Sequence, residues 1–181
     1  RKEAQAALVA IGEPGLATLG EALEDGSLGE RILWHVPKVL RQFDPAAAAA
    51  VLQRAMPSVA DGMLRYRIIR VLEQIVAQNP DVELDRELLE RTVNDTVARA
   101  YRFLDRRVTL VRGGRDDERR LTPGHELLVV LLADKERHAI GRIFRLLGLL
   151  HPREDFDKIY RGVIGDQREA NIARTRIAAV V

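Results

Sequence analysis

Side chains able to carry out catalysis are few in this sequence. The chain has four histidines, two serines and no cysteine, which excludes disulfides, thiolate zinc sites and a cysteine nucleophile. Ser27 and Ser58 both lie at predicted helix starts and in no nucleophile-elbow sequence, so we interpret them as helix caps. No Gly-rich phosphate loop is present either. We therefore predict no catalytic residue, no metal site and no bound cofactor.

One short cluster, His151 with Glu154 and Asp155, has residue types that bind metals. Zinc sites, however, need three or four ligands that converge, and no His-x-x-x-His pair or HExxH motif supplies more of them. Acidic residues also favour the first turn of a helix, where they face the positive end of the helix dipole. We interpret this cluster as the start of a helix.

The segment from Arg106 to Arg120 is the most basic stretch of a chain whose net charge is only +2. Its arginines are Arg106, Arg107, Arg112, Arg115, Arg119 and Arg120. They could contact the phosphates of nucleic acid or an anionic membrane surface. The three acids among them favour a solvated loop with internal ion pairs, and so disfavour nucleic acid. A second stripe comprises Arg65, Arg67 and Arg70.

Trp34 is the only tryptophan, and it is followed by His35. In a groove, an indole could stack on a base or on a methylated group. The alternative is packing between helices, because a tryptophan on an apolar face buries a large area. Trp34 and His35 are therefore candidates for a groove, with packing as the favoured interpretation.

These residues must be positioned by helices. Hydrophobic residues make up 46% of the chain but aromatics only 4%, and no strand-like alternation is evident apart from Val108–Val111. The longest pattern runs from Thr122 to Pro152, with Thr122 as cap and Pro123 as first helical residue. Its apolar residues share one face, which predicts a long, largely buried helix. The charged residues 134–138 interrupt it, so it is not a membrane span.

Other helix boundaries follow from capping residues and breakers. Asp44 and Asp85 are predicted caps, and Gly12 suits a left-handed turn. Ser58 with Asp61 resembles a capping box, and Pro37 should kink its helix. Residues 111–121 lose periodicity around Gly113-Gly114 and are predicted to form a flexible loop. The pattern predicts about nine helices with short connections.

Pairs of helices recur at 30–40-residue spacing, as in helical solenoids. In two copies, Leu16–Phe43 and Ala50–Ile75, an aspartate is followed six residues later by an arginine. This pattern resembles a HEAT repeat. The resemblance implies a right-handed α-α superhelix with a ladder formed by Asp25, Arg31, Asp61 and Arg67. It divides one domain, 1–181, into regular repeats 1–78, longer atypical helices 79–150 and a final helix pair 151–181.

The segment Arg142–Val163 is similar to the HEAT domains that follow the membrane region of bacterial ATP/ADP-carrier-like transport proteins. That resemblance, the start without Met and the apolar end at Ile177–Val181 predict a piece of a larger polypeptide. The expected location is cytoplasmic, as part of a membrane protein. Membrane-spanning segments encoded upstream of Arg1 would be required.

Three functions follow from these observations. The first is a non-enzymatic scaffold that binds a protein or a neighbouring domain of its own chain. The second is a HEAT-like nucleic-acid-binding or DNA-repair domain that uses Trp34 and the arginines. The third, a HEAT-like lyase acting on a chromophore, is disfavoured because no acid, base or nucleophile set is evident.

Overall fold

The computed structural model describes residues 2–26 and 28–162, which form eight α-helices and no β-strand. They are α1 Lys2–Ile11, α2 Glu13–Asp25, α3 Glu30–Leu33, α4 Val36–Leu40, α5 Pro45–Ala55, α6 Gly62–Gln78, α7 Arg86–Asp116 and α8 Pro123–Leu150. A 3-10 helix, Glu118–Arg120, connects α7 to α8, and residues 156–162 are also helical. The predicted all-α class is confirmed for this part. The predictions for Ser27 and for residues 163–181 lie outside the described residues.

Several helix starts are where the capping residues predicted them. Each cap oxygen accepts a hydrogen bond from the backbone N–H three residues further along, at 2.9 Å for Asp44, 2.9 Å for Asp85 and 3.2 Å for Thr122. Pro45 and Pro123 are the first residues of α5 and α8. Such ends depend on a few neighbouring residues, which is why local sequence predicts them.

Replacing Asp44 with alanine should lower the free energy of unfolding by about 1 kcal/mol, because the Ala47 N–H loses its acceptor. Asparagine at the same position keeps a side-chain oxygen that can accept the bond, so it should lower the free energy of unfolding by only a few tenths of a kcal/mol. Urea denaturation followed by circular dichroism measures both variants. An equal loss in the two would show that the cap bond is not what position 44 contributes.

The structure confirms one predicted helix interruption and moves one predicted helix start. Pro37 does interrupt its helix, since α3 and α4 are separated by a turn at Trp34 and His35. Proline has no N–H to donate to the carbonyl four residues back, which is that of Leu33. The capping box at Ser58 was wrong: Asp61 caps α6, with its carboxylate 2.7 Å from the Leu64 nitrogen.

The predicted strand at Val108–Val111 was wrong, and the predicted loop at residues 111–121 was wrong for residues 111–116, because α7 continues to Asp116. Residues 117–121 belong to the connection between α7 and α8. Glycine in a helix costs about 1 kcal/mol relative to alanine, so packing must offset Gly113 and Gly114. A Cβ on Gly114 would lie 2.8 Å from a Leu121 methyl and 2.9 Å from the His125 ring. The glycine therefore permits close approach between the end of α7 and the start of α8.

The hydrophobic core lies mainly among α2, α4, α5 and α6. Side chains with no exposed area include Leu40, Leu52, Ile68 and Leu72. The two long helices join this core at their far ends, through Leu89 on α7 and through Leu146 and Leu150 on α8. Between those ends and their connection, α7 and α8 pack against each other as an antiparallel hairpin.

Only the second half of α8 is packed on the core. There, Arg142 and Arg145 donate hydrogen bonds to Gly62 and Glu73 of α6. In the first half, Leu127, Leu128, Val130 and Leu131 are between 45% and 58% exposed. The prediction of a largely buried helix was therefore wrong for that half. An apolar stripe indicates a face that gains from burial, but a neighbouring helix must be long enough to cover it.

No single helix in the described ranges is long and apolar enough to cross a membrane. The first two helices pass that test of length and composition only together, as Gln5–Ile11 with Glu13–Asp25, and they are bent by 117° relative to each other.

Candidate functional site

Trp34 lies in a polar cluster with two residues of the α6 helix start. Its indole nitrogen donates to the Asp61 carboxylate at 3.2 Å, and its ring centroid is 5.8 Å from the Arg67 guanidinium carbon. Arg67 also donates to the Trp34 carbonyl at 3.3 Å. The indole N–H and one ring face are thus engaged within the chain, and Trp34 packs against the core cluster. These contacts agree with the packing interpretation.

The remaining residues of the predicted ladder and groove, Asp25, Arg31 and His35, precede or follow Trp34 by fewer than ten residues. Asp25 is the last residue of α2, while Arg31 and His35 are exposed on and after α3. The structure brings Asp61 and Arg67 together through Trp34. The ladder of Asp25, Arg31, Asp61 and Arg67 stays a prediction.

The six predicted anion-contact arginines lie on α7 and on the connection to α8. Arg107 forms a bidentate ion pair with Glu136 of α8, at 2.8 and 3.4 Å, which links the two helices of the hairpin. Arg120 lies 3.6 Å from the Asp117 carboxylate. The exposed members are Arg106, Arg112, Arg115, Arg119 and Arg120. Arg112, Arg115, Arg119 and Arg120 lie at the end of the hairpin where α7 connects to α8. Arg106 lies earlier in α7, further from that connection.

An apolar patch, here called the hairpin surface, comprises Leu121, Leu127, Leu128, Val130 and Leu131, each between 45% and 58% exposed. Next to it is a mostly apolar pocket of about 650 Å³, lined in part by Val111, Gly114 and His125. The His125 Nε2 lies 2.9 Å from the Leu110 carbonyl, while its buried Nδ1 has no hydrogen-bond partner among the described residues. The pocket and the hairpin surface thus combine exposed apolar area with one buried polar atom that has no partner among the described residues.

The hairpin surface continues a face that is covered elsewhere on the same helix. Leu127 and Leu131 lie on the same side of α8 as Arg142 and Arg145, because 4, 11 and 3 residues are close to whole helical turns. In the second half of α8 that side contacts α6. Since α6 begins at Gly62, beside Arg142, its residues do not extend along the first half.

A second feature, here called the cationic cleft, lies where the start of α6 meets the middle of α7 and α8. Its volume is about 560 Å³, and Tyr160 closes one side. The cations that line it are Arg65, Arg99, Lys135, Arg142 and Arg145. Asp61 is the one carboxylate in this lining within the described part of the chain.

Three of these arginines crowd one another. Burial, and after it the charges of Arg99 and Arg142, lower the pKa of Arg65 to about 10. Burial and then Arg99 lower the pKa of Arg142, while Asp61 acts in the opposite direction. Arg65 is only 5% exposed and donates to the carbonyls of Val59 and Pro57. The cleft is therefore a region of positive potential with partly dehydrated guanidinium groups.

Sequence reasoning did not find the cationic cleft. Arg65, Arg99 and Arg142 are separated by 34 and 43 residues and lie on three different helices. Of these three, only Arg65 is part of a basic stripe that the sequence shows, the one formed with Arg67 and Arg70. A charge cluster built from distant segments has no local pattern, so only the packing of α6, α7 and α8 reveals it.

The acidic cluster after α8 has structural roles. Asp155 accepts a hydrogen bond from the Lys158 N–H at 2.9 Å and so caps residues 156–162. The His151 ring lies 6.2 Å from the Phe156 ring. This agrees with the interpretation as a helix start. Across the two described ranges, no group of three or more metal-binding side chains is placed to hold an ion.

Comparisons with protein-family models, with curated proteins and with solved structures found no match to this chain.

Proposed function

We propose that this chain is a non-enzymatic, helical protein-interaction domain that docks an acidic amphipathic helix on its hairpin surface. The observation that supports this is the exposure of Leu127, Leu128, Val130 and Leu131 on one half of a helix whose other half is packed. Large apolar patches on protein surfaces commonly mark interaction sites. The partner is a protein or a neighbouring domain of a longer polypeptide.

Charge supports the choice of an acidic partner. Arg112, Arg115 and Arg119 are exposed beside the hairpin surface, and none of the carboxylates whose side chains the structure describes is within salt-bridge distance of them. Helices that dock in apolar grooves present apolar residues at helical spacing and polar residues elsewhere. Acidic flanks on such a helix would face these arginines, which favours specificity and fast association more than affinity.

The wider architecture that we propose is a HEAT-like right-handed superhelix that serves as a cytoplasmic scaffold, in keeping with the repeats predicted from the sequence at 1–78. Stacked repeats bury a continuous core and present extended surfaces to partners. Attachment to an ATP/ADP-carrier-like transport protein belongs to the same proposal. Membrane-spanning segments encoded upstream of Arg1 would support that attachment.

Nucleic-acid binding is the weaker candidate. The indole N–H of Trp34 is bonded to Asp61, and Arg107 is paired with Glu136. Two of the groups on which that function would rely are therefore occupied by other contacts.

The test uses a short helical peptide with leucine along one face and glutamate elsewhere, and measures its binding to the chain by fluorescence anisotropy. We expect binding that falls roughly 30-fold in the double variant Leu127→Ser, Leu131→Ser, since each lost leucine contact is worth about 1 kcal/mol. Ile32→Ser is the matched control, because Ile32 is an equally exposed apolar residue on α3.

Two further probes separate the alternatives. The same peptide with lysine in place of glutamate should bind more weakly because it faces like charges. Equal binding of both peptides, or no effect of the double variant, would contradict the proposal. Tight, salt-dependent binding of duplex DNA with no binding of the acidic peptide would instead favour the nucleic-acid function.

A further inference from the structure

The cationic cleft has the size of a small-molecule site. Sites for small ligands commonly occupy about 300–1,000 Å³ and combine apolar walls with a few convergent polar groups. The cleft, at about 560 Å³, lies within that range. Its walls include the rings of Tyr66, Phe103 and Tyr160 beside the arginines.

The positive charge in the cleft exceeds the negative charge that the described chain places in its lining. Arg145 is paired with Glu73, at 3.0 and 3.1 Å. Asp61 already accepts from the Leu64 N–H and from the Trp34 indole. No carboxylate of the described residues lies within salt-bridge distance of the remaining Arg65, Arg99 or Arg142. Three guanidinium groups thus share a partly buried space without a salt bridge to these residues, and the nearby charges of Asp61 and Asp95 offset their repulsion only in part.

The hydrogen-bonding capacity of Arg142 is only partly used within the described chain. Its Nη1 donates to the Gly62 carbonyl at 3.4 Å, but its Nε is buried and has no hydrogen-bond partner within the described ranges. A buried polar group without a partner is costly, and charged donors are costlier than neutral ones. Arginine stays protonated in proteins, so the cost is not relieved by losing the charge.

Phosphate fits this arrangement better than other groups. Guanidinium forks bind phosphate oxygens through paired charge-assisted hydrogen bonds. A phosphate monoester carries nearly two negative charges and three acceptor oxygens, which suits two arginines that reach it and a third that contributes charge. Arg65 has this third role, because its Nε and Nη2 already donate to the Val59 and Pro57 carbonyls.

We propose that the cationic cleft binds the phosphate group of a small organic phosphate, held by Arg99 and Arg142 in the field of Arg65. The organic part contacts the aromatic wall formed by Tyr66, Phe103 and Tyr160. This site is separate from the hairpin surface and does not depend on the proposed protein partner.

The probes are inorganic phosphate, pyrophosphate and phenyl phosphate, titrated into the full chain by calorimetry at low ionic strength. We expect phenyl phosphate to bind more tightly than inorganic phosphate because its ring contacts the aromatic wall. Arg99→Gln and Arg142→Gln should each weaken binding roughly 10- to 100-fold, as expected for one lost charge-assisted contact. Arg102→Gln is the control, since Arg102 is exposed on α7 and lies outside the cleft lining.

Thermal melting gives a second readout that does not need the ligand. Removing one of three crowded charges relieves repulsion, so Arg142→Gln should melt at the same temperature as the unchanged chain or higher. Added pyrophosphate should raise the melting temperature of the unchanged chain and of Arg102→Gln, but not that of Arg142→Gln. A folded Arg99→Gln variant tests the same site if Arg142→Gln does not fold.

The proposal would be overturned if none of the three probes binds, or if Arg102→Gln weakens binding as much as the cleft variants do. Equal affinity for phenyl phosphate and inorganic phosphate would overturn the part played by the aromatic wall. Vesicles that contain phosphatidic acid form the remaining arm. Cleft-dependent binding to those vesicles, without binding of soluble phosphates, would identify a lipid headgroup instead and contradict a small soluble ligand.

Discussion

Replacing Leu146 with alanine is expected to lower the free energy of unfolding by about 2–5 kcal/mol, which is the range for a leucine removed from a packed core. Leu146 has no exposed area and belongs to the core cluster that includes Leu72 and Leu150. Its loss removes buried apolar area and leaves a cavity between α8 and the core. Urea denaturation followed by circular dichroism measures the change.

Leu128 provides a matched control on the same helix. It is 51% exposed, so Leu128→Ala should change the free energy of unfolding by less than about 1 kcal/mol. Both substitutions change leucine to alanine in the interior of α8, and their effects on helix propensity are therefore alike. Similar losses in the two variants would contradict the division of α8 into a packed half and an exposed half.

Replacing Gln53 with methionine is expected to cost about 1–3 kcal/mol, because the part-buried backbone N–H of Asp85 loses its side-chain partner. Gln53 is 3% exposed, and its amide pairs with the backbone of Asp85 in both directions at 3.1 Å. The Asp85 carbonyl keeps a bond from the Leu89 nitrogen, but its N–H has no other acceptor among the described residues. Methionine preserves most of the volume, so the change isolates the hydrogen bonds.

Gln42→Met is the control for this substitution, since Gln42 is exposed and should cost less than about 0.5 kcal/mol. Hydrogen exchange gives a second measurement, because the amides at the start of α7 should lose protection in Gln53→Met. If the stability falls while those amides stay protected, Gln53 contributes through packing and not by holding the start of α7 against α5.

The Asp85–Gln53 contact illustrates what sequence reasoning reached and what it missed. Asp85 was predicted as a cap, because capping needs only the next few residues. The partner that holds Asp85 in place is 32 residues earlier. No local sequence pattern distinguishes a buried glutamine that hydrogen-bonds to a distant backbone from a glutamine that faces solvent. This contact therefore could not be predicted.

The same limit applies to the two candidate sites. The apolar stripe of α8 predicted a face that gains from burial, yet Leu146 is covered and Leu128 is not. The difference arises because α6 begins beside Arg142 and covers only the second half of α8. Likewise, Arg65, Arg99 and Arg142 form the cationic cleft only because three helices bring distant residues together.

Sequence alone determined the all-helical class, the starts of α5, α7 and α8, and the interruption near Pro37, because each depends on interactions within about one helical turn. Tertiary structure decided that α7 continues through Gly113 and Gly114 despite the poor helix propensity of glycine, because Leu121 and His125 pack so closely at Gly114 that a Cβ there would clash. It also decided which apolar residues stay exposed and which arginines gather in one cleft. Those outcomes depend on the lengths and crossings of whole helices, which no local pattern contains.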